Sequence, residues 1–196
     1  MIHFISGKIV DGLIENGTIV PEEKDLYFYG LQQGLTMIVN ILTTVAIGFV
    51  FKMVWQSIVF MLNYIPLRSF AGGFHAKTQL RCHLFSIVLI IVALLGMKMI
   101  PWNIISILFI TLLASTTIIL LAPMEDFNKP LNQKERILFK KCTMAILCLS
   151  VSITVMSWFT GYMQFSISVM MAILTLSFML LIGKIVRKYT KTNLTF

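Results

Sequence analysis

Residues 104–121 read IISILFITLLASTTIILL, eighteen positions without a charged side chain. As a helix this run is about 27 Å long, close to the ~30 Å of bilayer hydrocarbon. In water it would present apolar surface all round, whereas in lipid it is an ordinary spanning segment. The run therefore decides the solvent, and the flanking sequence repeats its character. Segments 84–97, 143–159 and 165–182 read as three further spans, and 35–51 as another whose helix can start as early as Pro21. Segment 53–65 is short, carries Gln56 and Asn63, and is closed by Pro66, which makes it a tilted span or a re-entrant segment.

Before these spans, residues 2–15 put Ile2, Ile5, Ile9 and Leu13 near one helical face, with Lys8, Asp11 and Glu15 off its centre. That pattern predicts a short amphipathic helix in the membrane interface, ended by Asn16-Gly17. The first residues have neither a basic leader nor an uninterrupted apolar core, so no cleavable signal peptide is expected. The predicted architecture is all-α: one polytopic membrane domain over 1–196, with about six transmembrane or re-entrant helices behind an N-terminal amphipathic helix at 1–17.

Composition agrees. Of 196 residues 58% are hydrophobic and 12% charged, half the charge of a typical soluble domain. The net charge of +8 sits in short clusters beside apolar runs, which points to anionic membrane lipids and away from nucleic acid. Segment 66–83 carries Arg68, Lys77 and Arg81, and 122–142 carries Lys129, Lys134, Arg136, Lys140 and Lys141. The tail carries Lys184, Arg187, Lys188 and Lys191, while the turns near Pro101 and Gly161 are almost uncharged. Alternate loops are thus basic, and the positive-inside rule puts both termini in the cytoplasm of a cell membrane. Lys52 and Lys98 stand singly on the opposite face, where they can snorkel. Cys82, Cys142 and Cys148 have neither disulfide-framework nor zinc spacing, so no metal or cofactor is expected.

The bilayer does not account for residues 68–82, RSFAGGFHAKTQLRC. They bring three cations, a Gly-Gly pair, an imidazole and a thiol between two apolar runs. A thiolate is a nucleophile, and an imidazole can take its proton and later protonate a leaving amine. His75 and Cys82 are the candidate pair. On a continuous helix seven residues rise roughly 10 Å, beyond hydrogen-bond reach, so the pair requires a break in the helix or a pairing across a dimer. Gly72-Gly73 can supply the break, and Thr78 can cap a new helix that holds Cys82 in its first turns. There the helix dipole favours thiolate. Arg68, Lys77 and Arg81 can favour thiolate or hold a carboxylate, and the Gly72 and Gly73 amides can face an oxyanion. His83 is the competing base, disfavoured because adjacent side chains on a helix diverge. An orienting carboxylate would have to come from residues 11–25 or from Glu125, Asp126 or Glu135.

The stretch Arg68…Ala71-Gly72-Gly73-Phe74-His75-Ala76…Thr78…Cys82 resembles the signature of the AgrB family, membrane cysteine endopeptidases of Gram-positive peptide quorum sensing. Ala122-Pro123-Met124-Glu125…Asn128-Lys129-Pro130-Leu131 resembles the same family's second motif, and length, span order and the basic central loop agree over most of the chain. The resemblance implies that His75 and Cys82 are the catalytic histidine and cysteine, and that Arg68 and Gly73 are the family's important arginine and glycine. It implies a partner, an AgrD-like precursor peptide, cut through a Cys82 thioester and closed into a thiolactone or lactone ring, and it suggests a homodimer. An acidic peptide tail would be drawn to Arg68, Lys77, Arg81 and the cluster that starts at Lys129. The rival readings are a small peptide transporter and a membrane protein that binds a peptide without cutting it. Against the first, the spans are free of charge except at their ends and no pair of interrupted helices marks inverted repeats.

Overall fold

The computed structural model describes residues 2–73, 79–124 and 132–193. It contains α1 (Ile2–Glu15), a 3-10 turn at Pro21–Glu23, α2 (Lys24–Phe51), α3 (Val54–Ala71), α4 (Gln79–Met99), α5 (Ile104–Leu121), α6 (Gln133–Phe159) and α7 (Met163–Asn193). Among the described residues there is no strand. Helices α2, α4, α5, α6 and α7 are long and apolar enough to cross a membrane. The chain is an all-α, multi-pass membrane protein, as its sequence predicts.

The helices are arranged around α7. From Ile167 to Leu180 this helix is buried nearly all round, and it packs on α3, α4, α5 and α6. One cluster joins Met170 and Met171 to Phe60, Leu94 and Ile107, and a second joins Ile173, Leu176 and Leu180 to Leu67, Ala114, Ile118 and Leu147. Lipid tails are as apolar as leucine, so close fit and polar cross-links hold such helices together. Small residues on α7 (Ser166, Ser168, Ala172, Ser177) are buried at these contacts. Ser166 Oγ donates to the Thr154 carbonyl at 2.9 Å, tying α7 to α6, and Ser150 Oγ meets Asn63 Oδ1 at 3.3 Å, tying α6 to α3.

Two boundaries differ from expectation. Helix α3 does not close at Pro66 but continues to Ala71. Proline deprives the Leu62 carbonyl of its partner, yet Leu67 and Ala71 are fully buried against α7, and that packing holds the last turn. With 18 residues α3 reaches about 27 Å, the length of a span, although its polar residues keep it out of the strongly apolar set. Helix α6 begins at Gln133 rather than near Thr143, so half of the expected 122–142 loop is helix. Asn132 and Glu135 form a capping box, with the Asn132 amide donating to Glu135 Oε2 at 3.0 Å. The cap satisfies amides that would otherwise be orphaned. Lys134, Arg136, Lys140 and Lys141 therefore ride on the first turns of a rigid helix, and Glu135 is taken up by the cap.

The N-terminal helix ends as expected, with Gly17 at φ 67°. It lies on α2 through buried Ser6 and Val10 and an Asp11–Lys24 ion pair of 2.8 Å, leaving Phe4, Ile5 and Ile9 exposed. At the far end of α2, Lys52 (φ 57°) turns the chain directly into α3.

Burial on α7 separates two leucines of equal chemistry. Leu176→Ala is expected to cost about 2–5 kcal/mol through the cavity it leaves, and Leu120→Ala, on the lipid-facing side of α5, no more than about 0.5 kcal/mol. Reversible unfolding in mixed micelles measures both; equal losses would contradict the central position of α7.

Candidate functional site

The site is built where α3 stops. The Gly72 N–H donates to the Arg68 carbonyl at 3.0 Å and closes the helix, with Gly72 at φ 74°, ψ −146°. Gly73 follows at φ 134°. Both conformations belong to glycine. Helix α3 thus ends before His75, and α4 is described from Gln79; the break expected between His75 and Cys82 falls on residues outside the described ones. His75, Lys77 and Thr78 lie outside the described residues, as does Lys129.

Gly72 has a second constraint. The Met124 N–H donates to the Ala71 carbonyl at 2.9 Å, and Gly72 and Met124 form an isolated parallel backbone bridge. A Cβ on Gly72 would run into the Met124 carbonyl oxygen. The two loop motifs, Arg68–Gly73 and Ala122–Met124, are therefore docked backbone to backbone at one end of the bundle. The Gly72 amide, expected as an oxyanion donor, is engaged in closing α3. Gly73 is buried between the Arg68 guanidinium and Met179 of α7, with room for a Cβ only at 3.4 Å from Arg68 Nη1.

Arg68 Nη1 donates to the Tyr64 hydroxyl at 3.3 Å, one turn back along α3. Cys82 is the fourth residue of α4, half-buried, and its carbonyl accepts from Ser86 Oγ at 3.0 Å. Arg81 beside it is exposed. Arg68, Gly72 and Cys82 line one cavity of about 520 Å³ between α2, α3 and α4, with Phe60 and Ile90 among its apolar residues. That volume lies in the range of about 300–1,000 Å³ usual for ligand pockets. Its lining is mostly apolar, and Cys82 is the cysteine among its lining residues.

The sequence profile of Accessory gene regulator B matches residues 6–181. The chain belongs to the AgrB family. It is also 24% identical over 165 residues to "Putative AgrB-like protein 2" of Clostridium perfringens (strain 13 / Type A), which covers 80% of this chain and 77% of the relative. No solved structure gives a significant match. AgrB membership brings a role in quorum-sensing accessory gene regulation and peptide processing, with AgrD-type precursor peptides as the associated partner.

Within this AgrB protein the cavity recruits residues that the sequence reading passed over. Gln33, Thr36, Asn40 and Thr44 of α2 form one wall, and Tyr64 faces them from α3. Their spacing of three, four and four is that of a single helical face. It was the available signal: a polar stripe without charge inside an apolar run. Asn40 Oδ1 also meets His83 Nδ1 at 2.6 Å. A carbonyl oxygen only accepts, so in this contact the ring Nδ1–H is the donor. His83 thereby ties the start of α4 to α2.

The close approach at Gly72 distinguishes it from Gly17, which has a similar φ but open space around it. Gly17→Ala is expected to cost about 1–2 kcal/mol from the left-handed backbone alone. Gly72→Ala must also displace the 122–124 backbone and should lower the thermal midpoint in detergent further; an equal shift for the two would argue against the docked loops.

Proposed function

We propose that this AgrB protein is a cysteine endopeptidase in which Cys82 attacks a carbonyl of an AgrD-type precursor. The observation that carries the reading is the half-buried Cys82 thiol in the first turn of α4, lining a peptide-sized cavity together with Arg68. His75, which falls on the family's catalytic histidine, takes the thiol proton. A C–S bond forms and the peptide C–N bond breaks, and the histidine returns the proton to the leaving amine as the acidic tail departs. An internal cysteine of the peptide then attacks the Cys82 thioester. One C–S bond replaces another, Cys82 leaves as a thiol, and a thiolactone ring closes; a serine in that place gives a lactone.

The surroundings favour this chemistry. Thioester exchange conserves bond type, so ring closure need not be uphill, and a partly water-excluded site suppresses hydrolysis of the intermediate. Arg68 at the cavity and exposed Arg81, next to Cys82 in sequence, suit an acidic tail, as do Lys77 and the cations from Lys129 onward. The basic segments 66–83 and 122–142 meet at one end of the bundle through the Ala71–Met124 contact, which supports a common, cytoplasmic side with both termini, facing anionic lipid headgroups in a Gram-positive membrane. The assembly is read as a homodimer on family resemblance.

Substitution Cys82→Ala separates the peptidase from a conduit or a passive binder. The full-length variant in proteoliposomes is expected to retain precursor binding and lose cleavage entirely, while the wild type shows a Cys82 acyl adduct by mass spectrometry. Persisting cleavage in Cys82→Ala, or no adduct and no cleavage by the wild type across a panel of AgrD-type precursors, would refute the reading.

A further inference from the structure

We infer that the uncharged polar face of α2, Gln33, Thr36, Asn40 and Thr44, is the recognition wall for the precursor backbone, holding the peptide segment around the cut in an extended form beside Cys82. The inference rests on the peptidase reading and adds to it the residues that grip the substrate. Its origin is a mismatch: α2 is the least buried of the spanning helices, yet its polar face is not turned to lipid but lines the cavity that contains Cys82.

An extended peptide brings one donor and one acceptor per residue into the bilayer. Each unsatisfied group there costs several kcal/mol, so a membrane site that opens a peptide must supply partners. The α2 wall offers both kinds. Thr36 Oγ1 donates to the Gln32 carbonyl and Thr44 Oγ1 to the Asn40 carbonyl, both at 2.8 Å, which leaves each hydroxyl oxygen as an acceptor towards the cavity. Asn40 Oδ1 is taken by His83, so its NH2 group is the donor that remains. Gln33 contributes an amide with both functions.

The dimensions fit. From Gln33 to Thr44 the helix rises roughly 16 Å, the length of about five extended residues. Such a segment passes Cys82 near its middle, because the Asn40–His83 contact sets the start of α4 beside the centre of the wall, and Phe60 and Ile90 of the buried core line the same cavity. Its backbone meets α2 while apolar side chains meet that floor. The departing tail stays at the arginine end.

Two measurements on the full-length protein test this. In the first, Cys82→Ala protein in lipid nanodiscs is irradiated with AgrD-type precursors carrying benzophenone-alanine at each position in turn. Adducts from consecutive positions are expected to map to residues 33–44 of α2; adducts confined to α1 or to the outer face of α5 would overturn the wall. In the second, Gln33→Ala and Thr36→Val are made in the active protein, leaving the Asn40–His83 contact untouched. Loss of ground-state binding raises KM about three- to ten-fold per hydrogen bond with kcat unchanged, and Gln33→Asn should recover part of the loss. A KM equal to wild type in both variants, with cleavage intact, sinks the recognition wall alone. Adducts on α2 with no cleavage by wild-type protein would instead sink the peptidase reading and leave the wall standing.

Discussion

The arrangement depends on the burial of α7. A helix surrounded by lipid gains nothing from hiding leucine, so the bundle must be held by fit, and α7 provides a surface against which four other helices fit at once. Its buried length runs from Ile167 to Leu180, and the two clusters along it include residues from α3, α4, α5 and α6. The same contact carries α3 through Pro66: Leu67 and Ala71 are held in place by α7, so the chain can lose a helical hydrogen bond and still deliver Arg68 and Gly72 to the end of the bundle. Gly73 then rests against Met179, again on α7.

At that end the described chain leaves the helix at Gly72 and again at Ala122–Met124. Non-helical chain in a membrane protein survives where it is buried in protein or lines a polar space. Gly72 borders the cavity, and on either side of it Ala71, which accepts from the Met124 N–H, and Gly73 are buried. The two loop motifs, joined at Gly72 and Met124 some fifty residues apart in sequence, are parts of one object. Their closeness explains why a glycine is needed at 72 more directly than any role in binding an oxyanion.

Much of the fold was legible in the sequence. The apolar run at 104–121, the turn at Lys52, the break at Asn16-Gly17 and the alternation of basic and neutral loops reflect local chemistry and the bilayer, which act on each segment separately. The errors came where a partner overrode local preference. Pro66 looked like a stop because its burial against α7 is not written near it. The start of α6 is signalled by the capping-box pattern of Asn132 and Glu135, but the cations that follow suit a basic loop equally well until the helix is seen. At the site, the thiol and the glycines stood out by composition, while Gln33, Thr36, Asn40 and Thr44 did not, since nothing in α2 says which of its faces meets Cys82.

The sequence by itself determined the solvent, the helical character of the apolar runs, and the short segment rich in chemistry between α3 and α4, because these follow from residue type at close range. Only the tertiary structure decided what that segment faces: the Met124 backbone against Gly72, Tyr64 against Arg68, and the polar stripe of α2 across the cavity from Cys82. Those relations join residues tens of positions apart, and they exist because packing on α7 brings the ends of α3, α4 and α5 to one place and sets α2 alongside.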